Sequence, residues 1–324
     1  MIRVAMIGTG GISAVHLNYL KSRSDVEIAA LCDVSSENLQ RRREEFGGKP
    51  CDDFRTMLQE QKLDAVWLCT PPQVRGEPLI ACAEKGVPVF CEKPAEREEQ
   101  RGVEIAAKLA ALDAHVQVGY VFRSLPVVQR LRQEIQKDRI HLVRSFYACD
   151  MSLKRVTRSW FYDKAQSGGA LVDQATHNLD LLRYLFGEVR EVCGVASNPV
   201  HKKEAGYTIE EALAFSFIFC SGAAGSHTHT WVGDTWRNEI HLSGEKRYYR
   251  LDLNRSALVI EEGSQTWQYV ETGRGMMDYE DDIFLRQVTS GDWSANPSSY
   301  ADAVATLKLT LACDRSLTDG LVKL

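Results

Sequence analysis

Ile2-Arg3-Val4-Ala5-Met6-Ile7-Gly8-Thr9-Gly10-Gly11-Ile12 is the stretch that decides the fold of this chain. Its apolar residues predict a buried strand that runs directly into a glycine turn. Ala14 to Ser22 then reads as a helix, and the next apolar run, Ile28 to Cys32, ends on Asp33. Strand, glycine turn, helix, strand and acid together form a grip for a dinucleotide. Glycine lets the backbone approach a pyrophosphate, and the helix N-terminus offers free N–H groups and partial positive charge. A carboxylate about twenty residues beyond the turn can hold ribose hydroxyls. The last glycine of the usual pattern is replaced by Ser13-Ala14, both small enough for close helix–strand packing. The competing reading is a tight structural turn with Asp33 as a solvated strand end.

The alternation continues. Ser36 to Phe46 reads as a helix with a serine cap, Phe54 to Gln61 as a short helix, and Ala65 to Thr70 as a strand ending at Pro71-Pro72. Glu77 to Lys85, Val87 to Cys91, Glu98 to Leu112 and Val116 to Val118 complete helix, strand, helix, strand. Strands separated by helices of this size pair in parallel through right-handed crossovers. Beyond residue 121 the pattern changes. Helices at Pro126 to Gln136 and Leu171 to Phe186 accompany a strand at Leu142 to Asp150. Closely spaced strands follow, at Val189 to Ala196, Ala212 to Phe219, Ala223 to Trp231, Asn238 to Ser243, Lys246 to Leu253, Ala257 to Glu262 and Gln265 to Tyr269. Turn residues such as Cys220-Ser221-Gly222 between them predict an antiparallel meander. The predicted fold class is α/β: a doubly wound domain over residues 1–121, then an α+β domain over 122–324 with a large, mostly antiparallel open sheet. The closing helix, 300–318, is a candidate to pack back on the first domain.

With 324 residues, two domains are the natural division. A net charge of −5, from 39 basic and 44 acidic residues, gives no broad basic surface for nucleic acid. The expectation is a cytoplasmic chain without a membrane partner, since no leader is read before the first strand and no apolar run spans a bilayer. The nine cysteines are scattered without a Cys-x-x-Cys pair and read as small buried hydrophobes. No metal is expected. His227, His229 and Trp231 alternate along one strand and share a face, but no third ligand accompanies them. An oligomer interface or a cleft wall is the preferred reading of that face.

Two further features could carry chemistry. Glu92-Lys93-Pro94 follows the strand Val87 to Cys91, at the strand ends where ligands of open parallel sheets gather. A lysine there can orient a substrate hydroxyl and favour its ionised form. The Gly168-Gly169 pair leads into a helix bearing Asp173 and His177, four residues apart and so on one face. A carboxylate beside an imidazole fixes its tautomer and tunes its basicity near neutral pH. Taken singly, each feature is also an ordinary turn or an ordinary intrahelical pair.

In combination, the chain resembles the Gfo/Idh/MocA oxidoreductase family. The resemblance rests on Ile7-Gly8-Thr9-Gly10-Gly11-Ile12 with His16, Cys69-Thr70-Pro71-Pro72, Glu92-Lys93-Pro94, Gly119 with Arg123, the block Gly168 to Asp180, and Thr318-Asp319-Gly320. It implies a Rossmann domain that binds NAD or NADP, and hydride transfer between nicotinamide and a secondary alcohol or ketone of a sugar, cyclitol or related polyol. By the same resemblance Gly8, Thr9, Gly10, Gly11, Ile12, Asp33, Thr70, Pro71, Glu92 and Lys93 would bind cofactor. Lys93, Tyr120, Arg123, Trp160, Asp173 and His177 would contact substrate. Lys93 would orient the reacting hydroxyl, Asp173 would bind a hydroxyl or orient the base, and His177 would be the general acid–base.

Two positions depart from the family pattern: Arg75 stands where histidine is usual, and Ala175 where glycine is usual. Arg75 reads as a surface substitution, or as a reshaping of the pocket rim toward an anion. Asp33 disfavours a 2′-phosphate and points to NAD, while Arg41 and Arg42, expected to point away, keep NADP open. The resemblance also admits a retained-NAD enzyme that cleaves glycosides by transient oxidation and elimination. A non-catalytic nicotinamide sensor is a further alternative. A homodimer or homotetramer through the C-terminal sheet is expected.

Overall fold

The computed structural model describes residues 1–151, 159–201 and 204–324, with the side chains of Ser159, Trp160 and Asp234 also outside the description. The chain forms two compact units. The first comprises Met1–Ser124 with Arg274–Leu307, and the second Leu125–Gly273 with Lys308–Leu324. The sequence division at residue 121 placed 122–324 in a second domain, with helix 300–318 a candidate to pack back on the first; by compactness, residues 274–307 group with the first unit.

In the first unit, strands β1 (Ile2–Ile7), β2 (Val26–Cys32), β3 (Lys49–Cys51), β4 (Ala65–Leu68), β5 (Val89–Cys91) and β6 (Val116–Val118) form one parallel sheet in the order β3-β2-β1-β4-β5-β6. Helices α1 (Ser13–Ser22), α2 (Ser36–Phe46), α3 (Phe54–Glu60), α4 (Gly76–Glu84) and α5 (Glu99–Ala111) connect them. The order reverses between β1 and β4, the switch point at which doubly wound sheets open a crevice for ligands. Both faces are buried, as parallel sheets require. Ala5, Ile7, Val66 and Leu68 pack into one apolar layer, and Val4, Met6, Ala65 and Trp67 into the other.

The second unit opens with α6 (Pro126–Ile135), β7 (Ile140–Asp150), a one-turn helix α7 (Lys164–Ser167) and α8 (Thr176–Phe186). Then come β8 (Val189–Ser197), β9 (Ala212–Phe219), β10 (Ala224–Thr230), β11 (Val232–Gly244), β12 (Tyr248–Asp252), β13 (Ala257–Glu262) and β14 (Gln265–Val270). With β15 (Val322–Lys323) they build a nine-stranded sheet ordered β14-β13-β12-β11-β7-β10-β9-β8-β15. Every pairing is antiparallel except β7 with β10. The predicted hairpin between β9 and β10 forms, with Gly222 at φ +89° and Phe219 N–H on the Ala223 carbonyl at 3.0 Å. The predicted helix Leu171 to Phe186 is instead one wide π turn, Leu171–Ala175, followed by α8.

Two helices close the chain, α9 (Met276–Ser290) and α10 (Tyr300–Asp319). The sequence reading assigns no element between Tyr269 and Tyr300, so α9 is an addition. Its Phe284 meets Trp67 edge-on, with ring centroids 4.9 Å apart, and completes one apolar layer of the first sheet. Tyr300, Ala303 and Val304 of α10 join the other layer. Among the described residues no helix is long and apolar enough to cross a membrane.

Candidate active site

The cofactor residues proposed from sequence lie together, at the C-terminal ends of the neighbouring strands β2, β1, β4 and β5. Gly8 adopts φ +89°, and a Cβ on it would stand 2.7 Å from Cys69 C and Thr70 N. The turn therefore sits hard against the end of β4. By contrast, a Cβ at Gly10 or Gly11 would meet nothing within 4 Å. Space is left over the turn where the backbone of a dinucleotide-binding loop meets a pyrophosphate. The Thr70 hydroxyl is buried without a hydrogen-bond partner among the described residues. These features fit NAD.

Asp33 does more than face a ribose. Its Oδ2 accepts from the Thr9 N–H at 2.6 Å and the Thr9 hydroxyl at 2.8 Å, and its Oδ1 accepts from Ser35 N–H at 2.8 Å. A carboxylate offers about four acceptor directions, so the acid that braces the glycine turn still has capacity for a ribose hydroxyl. Arg41 lies on Asn38 at 2.7 Å. Arg42 does not point away as expected: it is nearly buried and donates to the Gly10 carbonyl at 3.1 Å.

Arg75 is the clearest correction. It is buried rather than on the surface or at a rim. Its guanidinium donates to the carbonyls of Thr70, at 2.8 Å, and of Glu92 and Pro94. A planar cation with five donors suits three converging carbonyls, and here it fixes the turn that carries Lys93. The Lys93-Pro94 peptide is cis.

Behind that turn is a buried ionic cluster. His16, on α1, places Nδ1 at 2.9 Å from Asp281 Oδ1 and Nε2 at 3.0 Å from Glu92 Oε1. The Trp67 indole N–H donates to the same Asp281 oxygen at 2.8 Å. Burial works against a charged His16, but the Asp281 carboxylate, with Glu92, overcomes it and raises the imidazole well above its ordinary 6.5. Burial likewise opposes the Glu92 charge, yet the bond and charge of His16 hold that carboxyl down at about 2. Glu280 is pushed well above the carboxylate range by its burial and by Glu92 beside it. His16, Glu92 and Glu280 bring ligand atoms within 4.8 Å of one another, as a cation site would. Both His16 nitrogens, however, face carboxyl groups at hydrogen-bond distance, and the raised imidazole, protonated on both nitrogens, offers no lone pair to a metal. Sequence reasoning missed Asp281, Glu280 and Trp67. The acidic run Glu280-Asp281-Asp282 was the available signal.

Arg123, a candidate substrate contact, is also buried. It donates to the Pro297 carbonyl at 2.7 Å and pairs with Asp302. Tyr120 is buried in the same unit. Tyr120 lies in the apolar layer that Tyr300, Ala303 and Val304 join. The side chain of Trp160, another candidate, lies outside the described residues.

Asp173 and His177 belong to the second unit, on the π turn and the start of α8, both half-buried. Single π turns recur at functional sites. The helix is anchored to the sheet by a buried polar network. The Asn178 amide donates to Ser145 Oγ at 3.0 Å and to Asn238 Oδ1 at 2.8 Å. His227 Nδ1 lies 2.9 Å from Ser145 Oγ. Gln174 accepts from the Trp231 indole and, at 2.9 Å, from the Cys149 thiol. His227 and His229 do share a face with each other, but it is the face covered by the chain's own helix, so it is no oligomer interface. Burial pushes His227 down to about 3 and His229 well below its ordinary value, leaving both neutral.

Residues 2–120 match the model of the oxidoreductase family with an NAD-binding Rossmann fold, and residues 128–250 match the GFO/IDH/MocA C-terminal domain. The chain belongs to the Gfo/Idh/MocA oxidoreductase family. It is therefore an oxidoreductase with an NAD-binding Rossmann domain. The myo-inositol 2-dehydrogenase of Thermotoga maritima is 25% identical over 98% of this chain and 97% of its own. The scyllo-inositol 2-dehydrogenase (NAD(+)) of Bacillus subtilis is 27% identical over 69% of this chain and 66% of its own. A levoglucosan dehydrogenase in complex with NADH and levoglucosan shares the fold, with a TM-score of 0.87 at 21% identity, covering 99% of both chains.

Proposed function

We propose that this member of the family is an NAD-dependent dehydrogenase acting on a secondary alcohol of a sugar or cyclitol. The observation that carries the reading is the Glu92-Lys93-Pro94 turn, clamped by Arg75 at the end of β5, one strand away from the glycine turn that follows β1. The full-length match to an inositol dehydrogenase supports the substrate class, and neither the glycoside-cleaving nor the sensor alternative gains support. Lys93 orients the reacting hydroxyl and stabilises its developing negative charge. His177 takes the hydroxyl proton, and Asp173 holds a substrate hydroxyl or the tautomer of His177. NAD, when bound, supplies the hydride acceptor. The protein's contribution is placement and proton handling, the latter commonly worth about two to four powers of ten in rate.

The test is formation of reduced nicotinamide with NAD and a panel of inositols, levoglucosan and simple glucosides. Turnover is expected with at least one. Lys93→Ala and His177→Ala should each lower kcat by about 100-fold or more, with NADH affinity nearly unchanged. Undiminished turnover in Lys93→Ala would overturn the assignment.

We further propose that a second copy of the chain covers the outer face of the large sheet. The central strand β7 buries Val143, Ser145 and Tyr147 inward and leaves Leu142, Arg144 and Phe146 exposed outward. Exposed apolar residues in a row on an open sheet mark an interaction surface. Light scattering should give a mass of at least two chains, reduced to one by Leu142→Glu with Phe146→Glu. A monomeric parent protein would refute the proposal.

A further inference from the structure

Three carboxyl groups, of Glu92, Glu280 and Asp281, and the His16 imidazole are buried together beneath the Lys93 turn. Removing charges from water costs several kcal/mol per ion before partners repay it. Asp281 and Glu280 reach this place from α9, more than 260 residues beyond His16 in the chain. The cluster leads to one point. Asp281 holds His16 Nδ1, and His16 Nε2 holds Glu92 Oε1. Glu92 Oε2 accepts the Lys93 backbone N–H at 3.1 Å. Arg75 grips the carbonyls of Glu92 and of Pro94 on either side of Lys93.

We propose that the chain Asp281–His16–Glu92 is a positioning device for Lys93, fixing through the Glu92 carboxylate the place at which the lysine leaves the strand end. His16 is thereby a positioning residue for the reaction. The inference rests on the reading of Lys93 as the amine that serves the reacting hydroxyl. Several elements contribute to the setting of His16. Asp281 and Glu280 come from α9, Cys69 from the end of β4, and Phe90 and Glu92 from β5 and its end, while Trp67 of β4 reaches the same Asp281 oxygen.

The experiment compares His16→Gln and the nearly isosteric Glu92→Gln with the parent protein, by two readouts. In the absence of cofactor, the rate at which an amine-reactive ester labels Lys93 is followed by peptide mass spectrometry, with Lys21 and Lys164 as internal references. Lys93 labelling is expected to change severalfold in both variants while the references do not. In turnover with NAD, misplacement of a reacting group by about 1 Å costs about 100-fold. A fall in kcat of that order is expected, with KM little changed and no further loss when either change is added to Lys93→Ala. Unchanged Lys93 labelling in a variant that melts cooperatively overturns the proposal, as does a kcat loss that adds fully to that of Lys93→Ala. If Lys93→Ala itself turns over normally, the functional reading falls, while the labelling result still decides whether the cluster positions the lysine.

Discussion

Gly8→Ala is expected to destabilise the first unit strongly rather than merely weaken its cofactor site. A Cβ there would lie 2.7 Å from two backbone atoms, Cys69 C and Thr70 N, and 2.9 Å from the Cys69 carbonyl oxygen. No rotamer change relieves contact with backbone. Movement is blocked as well, because Gly8 N–H is tied to the Cys32 carbonyl at 2.8 Å and Cys69 N–H to the Ile7 carbonyl at 2.7 Å. The residue also sits at φ +89°, where an L side chain costs roughly 1–2 kcal/mol. Overpacking of about 1–3 kcal/mol adds to that. The sum is a large fraction of the roughly 5–15 kcal/mol that stabilises a domain. Urea denaturation should show a lost or strongly shifted transition, with NADH binding abolished. Gly10→Ala is the control: its Cβ meets nothing within 4 Å, so the fold should survive while NADH affinity falls. A Gly8→Ala protein melting within a degree or two of the parent would contradict this account.

The second large effect is expected at Asp281. Breaking a buried ion pair by removing one partner costs about 3–5 kcal/mol, because the other charge stays buried without compensation. Asp281→Ala strands both the His16 N–H and the Trp67 indole N–H. Protonation makes the effect depend on pH in a defined direction. His16 has its folded pKa raised above 6.5, so its contribution is complete below that value and is lost as pH rises through the raised one. Glu92 is held at about 2 against an ordinary 4.5, so its contribution is complete above 4.5 and is lost as pH falls toward 2. Glu280 is raised, so its effect has the same sign as that of His16: stability falls as pH climbs above 4.5. The cluster therefore favours mildly acidic conditions. Thermal melts should show the gap between parent and Asp281→Asn widest near pH 5.5 and narrowing on the alkaline side. A gap that is flat with pH would show that His16 does not carry the charge assigned to it.

Much of this protein is written locally. The strand into Gly8, the acid at Asp33, the lysine turn and the switch from βα alternation to hairpins depend on near neighbours, so reading them needs only short-range periodicity and turn chemistry. The family resemblance rests on the same short motifs. What the sequence left unread has one physical cause, which α9 illustrates. Five of its residues are buried, and three of them are Glu280, Asp281 and Gln287. A helix whose inward face is acidic shows no apolar stripe, and those acids make sense only beside His16, Trp67 and Gln117, whose amide donates to the Glu280 carbonyl at 3.0 Å. Arg75 looked like a surface residue for the same reason: its three carbonyl partners converge only once β4 and β5 lie side by side. His227 and His229 were placed on one face correctly, but only the position of α8 decided that the face is the covered one. Periodicity alone determined which residues share a side of a strand or turn. Which side is buried, and which charges meet there, was decided by contacts between segments far apart in the chain, because the partner that makes a buried polar group affordable is not its neighbour in sequence.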